Sequence, residues 1–151
     1  MFGWIILSTD YSTFRILQPN FIYVFADVNG LKYINDNLGH AAGDELIKGA
    51  ASCLDNAFSK YGTVYRMGGD EFSAILYISD DDYQNLEQEL QQAEESWSGE
   101  LVKHLSISIG YVPLSEDPSR TIDEIVQLAE TRMYEAKSEY YRTSGFDRRK
   151  V

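Results

Sequence analysis

One cysteine and three prolines in 151 residues leave this chain with few covalent or conformational staples. The lone Cys53 can close no intrachain disulfide, so the fold must rest on a buried core, and a reducing cytoplasm suits it. Basic residues are also scarce, 13 against 24 acidic, for a net charge of −11. That balance argues against tracking a nucleic-acid backbone or resting on an anionic membrane. Long apolar runs are missing too. The opening Met1-Phe2-Gly3-Trp4-Ile5-Ile6-Leu7 is too short for a membrane span and has no basic n-region. It reads as a core-seeking strand or the stub of a longer chain. The sequence contains no internal repeat, low-complexity tract or linker.

The length and the apolar fraction of 44% suit one domain with a core of its own. Residues 1–20 form an atypical N-terminal segment, strand or loop. Phe21–Ala26 is a continuous β-branched and aromatic run, the pattern of a strand covered on both faces. Leu31–Leu38 has helical spacing and stops at Gly39. A second helix is expected from Gly43-Asp44, with Leu46, Ile47, Ala50, Leu54, Ala57 and Phe58 inward. Cys53 lies within it and reads as a small buried hydrophobe. Thr63–Arg66 and Phe72–Ile78 flank Gly68-Gly69-Asp70-Glu71 as a hairpin, glycine being expected there for its access to positive φ. Ser79 is the expected cap of a helix burying Tyr83, Leu86, Leu90, Ala93 and Trp97. Leu105–Val112 alternates like a strand. Thr121 and Glu124 have capping-box spacing ahead of a helix carrying Ile122, Ile125, Ala129, Met133, Ala136 and Tyr140. A charged tail, residues 143–151, ends the chain.

The order strand, helix, helix, hairpin, helix, strand, helix is the ferredoxin-like α+β pattern with an added helix: a central, mostly antiparallel sheet flanked by helices. In it the first and second strands run parallel, with the hairpin's return strand between them. Asp27, closing the first strand, and Asp70/Glu71, turning off the second, then share one sheet edge. Singly, each acid reads as a solvated turn residue. Together, carboxylates held that close repel unless a cation neutralises them. Magnesium suits them, being held by one or two carboxylates plus substrate phosphates. Two-metal phosphoryl or nucleotidyl transfer is the chemistry this suggests.

The stretch from Asp27-Val28-Asn29-Gly30-Leu31-Lys32 through Asn35 and Gly39-His40 to Gly43-Asp44, followed by Arg66-Met67-Gly68-Gly69-Asp70-Glu71-Phe72, resembles the GGDEF family of diguanylate cyclases. Ser106–Gly110 and Ala129–Lys137 are similar to that family's later strand and final helix. The likeness covers about residues 21–142, a nucleotidyl-cyclase-like catalytic domain. It implies that two GTP molecules become cyclic di-GMP and two pyrophosphates between two copies of the domain. It further implies that Asp27, the Val28 carbonyl, Asp70 and Glu71 hold two Mg2+ per site, with Mn2+ able to substitute. One of the turn acids also helps to deprotonate the attacking hydroxyl. By the same resemblance, the amides of Gly30 and Leu31 and the side chains of Lys32 and Lys137 meet phosphates. Asn35 and Asp44 read guanine, and Gly68 and Gly69 let the nucleotide approach.

Three departures stand out. The family's inhibitory Arg-x-x-Asp falls on Ser59 and Gly62, so product inhibition there is expected to be absent. The opening Leu-Thr-Gly-Leu-x-Asn-Arg-Arg stretch has no counterpart in residues 1–20. The usual Gly-Arg-Asn after the last helix is replaced by Tyr140-Tyr141-Arg142, with Arg142 expected to take the phosphate-facing task. No sensory region is visible, so either regulation lies outside this chain or the chain is a fragment. The competing reading is a catalytically idle module that binds GTP or a protein partner. Intact Asp27, Asn35, Asp44, Asp70 and Glu71 favour the cyclase, and the missing opening favours the idle module.

Overall fold

The computed structural model describes residues 20–79 and 82–144. The expectations for residues 1–19, for Asp80-Asp81 and for residues 145–151 of the tail fall outside them. Among the described residues four strands, β1 (Ile22–Val28), β2 (Gly62–Gly68), β3 (Glu71–Leu76) and β4 (Ile107–Pro113), form one antiparallel sheet in the order β2-β3-β1-β4. Helices α1 (Leu31–Leu38) and α2 (His40–Phe58) connect β1 to β2, α3 (Tyr83–Ser96) precedes β4, and α4 (Ile122–Thr143) follows it. β3 pairs antiparallel with both β1 and β2, so those two run parallel with one strand between them, as the topology required.

β1 is buried at every position because both sheet faces are covered. Its even residues, Ile22, Val24, Ala26 and Val28, join the larger core with Leu46, Leu54, Phe58, Leu86 and Leu90 from α2 and α3. Its odd residues, Tyr23 and Phe25, pack with Ile125, Ala129 and Met133 of α4. Asp27 continues the odd series. Strand alternation alone therefore puts its carboxylate on the α4 face. Phe72, paired with Ala26, points into the opposite core and is 1% exposed.

Several local details differ from the sequence reading, beyond shifts of a residue or two at the ends of β1, β2 and β3. α2 starts at His40, because Gly39 at φ 89° ends α1 and its carbonyl accepts from the Ala42 and Gly43 amides. Asp44 thus lies past the first turn and is no N-cap. α3 begins at Tyr83, with Asp82 at the N-cap position making no side-chain cap bond, and the Ser79 hydroxyl donates to the Asp82 carboxylate. β4 begins at Ile107. On α4 it is Tyr141 that is buried, with Tyr140 half-exposed. The Thr121–Glu124 capping box is present, each residue's side chain accepting the other's amide. Cys53 is buried, its thiol pushed up to about 11 mainly by desolvation, as befits an inert core residue.

Glu94 on α3 is a partly buried carboxylate that accepts the Ile107 amide at 2.8 Å. Burial raises its pKa to about 7 despite that hydrogen bond, and the charge of Glu95 adds to the rise. The unfolded chain loses this proton first, near pH 4.5. Stability is therefore undiminished below that pH and declines as pH rises toward 7. Glu94→Gln keeps the acceptor without the charge. The melting-temperature gap between Glu94→Gln and wild type should widen in favour of the variant by roughly 2–6 °C from pH 5 to pH 8. A gap that does not change with pH would refute this account.

Candidate active site

Where β1 ends, four consecutive residues bond to three other parts of the fold: α4, the hairpin turn and the segment leading into β4. Asp27 Oδ1 accepts from Lys137 Nζ of α4 at 2.8 Å. The Val28 amide donates to the Asp70 carbonyl in the hairpin turn at 3.0 Å. Asn29 donates from its amide to the Ser106 carbonyl, and its side chain bonds the Ser106 and Ser108 hydroxyls at the start of β4. The Gly30 amide donates to the Tyr141 hydroxyl at 3.0 Å. A strand end leaves backbone polar groups without ladder partners, and here each is satisfied by a neighbour that also fixes geometry.

These bonds surround a cleft of about 220 Å³ lined by Val28, Gly30, Leu31, Lys32, Asp70, Lys137 and Tyr141. Six of the seven were expected from sequence. Asp27 is 5% exposed, and burial pushes its carboxyl well above the usual range. The hydrogen bond and charge of Lys137 pull it back, while the neighbouring Asp70 carboxylate pushes it up again. The two acidic sites therefore do meet. Glu71 stands opposite Asp27 in the β1–β3 register, half-exposed.

The hairpin departs from its expected rationale. Gly69 and Asp70 form the turn, with a register irregularity between Arg66 and Gly68, and the Arg66 guanidinium donates to the Gly69 carbonyl. Neither Gly68 nor Gly69 takes positive φ, and an added Cβ at either would meet nothing within 4 Å. Glycine's left-handed freedom is used instead at Gly30 (φ 77°) and Gly39 (φ 89°). The fold of this chain makes no steric demand for glycine at the hairpin tip.

Asn35 lies one turn beyond Leu31 on α1, half-buried against α2. A Cβ built on Gly43 would fall 1.8 Å from its Oδ1. Asp44, the next residue, is exposed. The two expected guanine readers thus occupy facing elements, outside the lining of the 220 Å³ cleft. Arg142 is not at the cleft. Its guanidinium pairs with Glu139 on the exposed side of α4. Five residues separate it from Lys137, which turns it about 140° away, whereas Tyr141 at four residues shares the Lys137 face.

Sequence reasoning missed Tyr141, Asn29 and Glu45. The Glu45 carboxylate accepts the amides of Glu100, Leu101 and Val102 at 2.7–2.9 Å and so clamps the loop before β4 onto α2. These amides hold its pKa below the usual value. Helical spacing from Lys137 was the available signal for Tyr141. For Glu45 no local signal existed. Among the described residues no three His, Cys, Asp or Glu side chains converge as a ready cation site. A hard cation would have two carboxylates, Asp27 and Asp70, beside the Val28 carbonyl. That donor set suits an ion completing its shell with phosphate oxygens and water.

Residues 7–142 match the family described as "Diguanylate cyclase, GGDEF domain". An uncharacterized membrane protein of Staphylococcus saprophyticus is 32% identical over 124 residues, which is 75% of this chain and 33% of that protein. The signaling protein YkoW of Bacillus subtilis is 41% identical over 71 residues, 47% of this chain and 8% of that protein. The chain spans a third or less of these curated relatives. An EAL/GGDEF domain protein from M. capsulatus shares 31% identity with a TM-score of 0.67, over 80% of this chain and 79% of that one. The active GGEEF domain of a diguanylate cyclase from Vibrio cholerae shares the fold, with a TM-score of 0.75 at 22% identity over 90% and 88% of the two chains. With the family match running across most of its length and over every element of the cleft, the chain belongs to the GGDEF diguanylate cyclase domain family.

Proposed function

We propose that this chain is an active diguanylate cyclase domain, joining two GTP molecules into cyclic di-GMP between two copies of itself. The observation that carries the reading is that buried Asp27 meets both Asp70 and Lys137, which line one cleft with the start of α1. Each copy would hold one GTP. Lys32 and the amides at the start of α1 would face the phosphates, where backbone N–H groups and the helix dipole favour anions. Lys137, now on Asp27, would share its charge with the phosphates once bound cations neutralise that carboxylate.

Magnesium or manganese, held by Asp27, Asp70, Glu71 and the Val28 carbonyl, would supply charge neutralisation for the triphosphate and acidify the attacking hydroxyl. A turn acid, Asp70 or Glu71, would take the proton from the 3′-hydroxyl of one GTP. That oxygen then bonds to the α-phosphorus of the other GTP as the bond to pyrophosphate breaks. The symmetric step closes the ring and releases a second pyrophosphate. Two copies with their clefts facing would bring each hydroxyl to the other's phosphorus.

Asn35 and Asp44 would read the base. A carboxylate accepts from both guanine N1–H and the exocyclic amine, which adenine cannot reproduce. The placement of Asp44 beyond the first turn of α2 supports this role over that of a cap. The Staphylococcus relative, a membrane protein about three times the matched length, supports a cytoplasmic module regulated by segments outside this chain.

Incubation with GTP and Mg2+ at high protein concentration, with chromatographic separation, should yield cyclic di-GMP. The product should vanish in Asp70→Ala/Glu71→Ala. GTP binding without any dinucleotide would establish the idle-module reading instead.

Inhibition by product is a second test. Gly62 stands where the family's inhibitory aspartate would be, and a Cβ there would lie 1.9 Å from the Ile75 carbonyl. The position therefore cannot carry an acid in this backbone. Added cyclic di-GMP should leave the initial rate nearly unchanged, and strong noncompetitive inhibition would contradict this.

Gly43→Ala separates base reading from folding. Alanine suits a helix interior better than glycine, so melting temperature should hold or rise. The new methyl group must displace Asn35, and the KM for GTP should rise roughly tenfold, consistent with the loss of hydrogen bonds to the base. An unchanged KM would remove Asn35 from the site.

A further inference from the structure

Lys137 and Tyr141 lie one turn apart on α4 and line the same cleft. Lys137 brings a positive charge to the Asp27 carboxylate, and Tyr141 brings an acceptor oxygen to the Gly30 amide. A cation and a phosphate oxygen would make the same two contacts. One stripe of α4 thus holds both halves of the site. Tyr141 is 8% exposed and braced edge-on by Tyr140, with ring centroids 5.3 Å apart. Its hydroxyl is placed by packing.

The Gly30 amide has one hydrogen to give. It belongs to the left-handed residue ahead of α1, so its direction is fixed by the backbone. While it donates to the phenol it cannot donate in full to a phosphate. We propose that Tyr141 is a gate on the phosphate side of the cleft: its hydroxyl occupies the Gly30 amide and yields it to a phosphate oxygen when nucleotide binds. The proposal rests on the reading of this cleft as a nucleotide site. The exchange runs toward phosphate, because a hydrogen bond to a charged acceptor outweighs one to a neutral hydroxyl. It nonetheless subtracts from affinity what the phenol bond was worth. Tyr141→Phe keeps the ring and its contact with Tyr140 and removes the acceptor that competes for the Gly30 amide.

The test uses isotopically labelled wild type and Tyr141→Phe, titrated with magnesium and a GTP analogue whose α,β-bridging oxygen is methylene. Guanosine, which lacks phosphates, is titrated in parallel. Tyr141→Phe should bind the analogue about threefold to tenfold tighter, the value of one neutral hydrogen bond. Guanosine affinity should not change. The Gly30 amide resonance should differ between the two unliganded proteins and converge when both hold the analogue. Weaker binding by Tyr141→Phe would make the hydroxyl a phosphate ligand and overturn the gate. Equal affinities, or the same change for guanosine, would make Tyr141 a packing residue and overturn it too. Failure of the analogue to bind either protein would overturn the nucleotide-site reading itself, and the gate with it.

Discussion

A carboxylate taken out of water at the end of a central strand needs a counter-charge, and the arrangement around Asp27 answers that need. Strand alternation turns Asp27 toward α4 and burial removes its solvation, so the Lys137 ammonium compensates. Removing one partner of such a pair typically costs about 3–5 kcal/mol, because the other is left buried and charged. The pair therefore ties the position of α4 to the end of β1. Tyr141, one turn further along the same helix, inherits its place from that tie.

The bonds of Val28, Asn29 and Gly30 extend the same logic. Three elements are fastened to the strand end: the hairpin through Val28, the segment leading into β4 through Asn29, and α4 through Asp27 and Gly30. Rigid placement of this kind is what the proposed group transfer would need, since reacting groups must be held in position before substrate arrives. The side chains nearest the open cleft, Lys32 and Asp70, lie on a helix start and a turn, where such anchoring is most needed.

Much of this was legible in the sequence because the relevant signals are local. The unbroken apolar run of β1 announces two covered faces, and the Thr121–Glu124 spacing announces its cap. Even the meeting of Asp27 with the hairpin acids could be read, because topology fixes which strand ends share an edge. Less legible was anything decided by rotation about a helix or by contact between distant segments. Arg142 looked like a phosphate ligand from its type, but helical phase turns it outward and gives the cleft to Tyr141. The Lys137 partner was not visible either, because an ammonium that suits a phosphate suits a buried carboxylate equally well. Glu45 holds a loop more than fifty residues away, and nothing near it in the chain announces this. Gly68 and Gly69 were assigned to a backbone constraint that actually falls on Gly30 and Gly39.

That misplacement of the glycine constraint bears on how such a domain can change over time. The hairpin tip carries the acids of the proposed chemistry, yet the fold asks neither conformational licence nor close packing of its two glycines. Larger or uncharged residues could settle there without disturbing the sheet. The core and the proposed chemistry are thus separable inheritances. A copy relieved of the proposed chemistry could lose this corner by drift and still fold. It would survive as a binding domain with an intact scaffold and a silent tip.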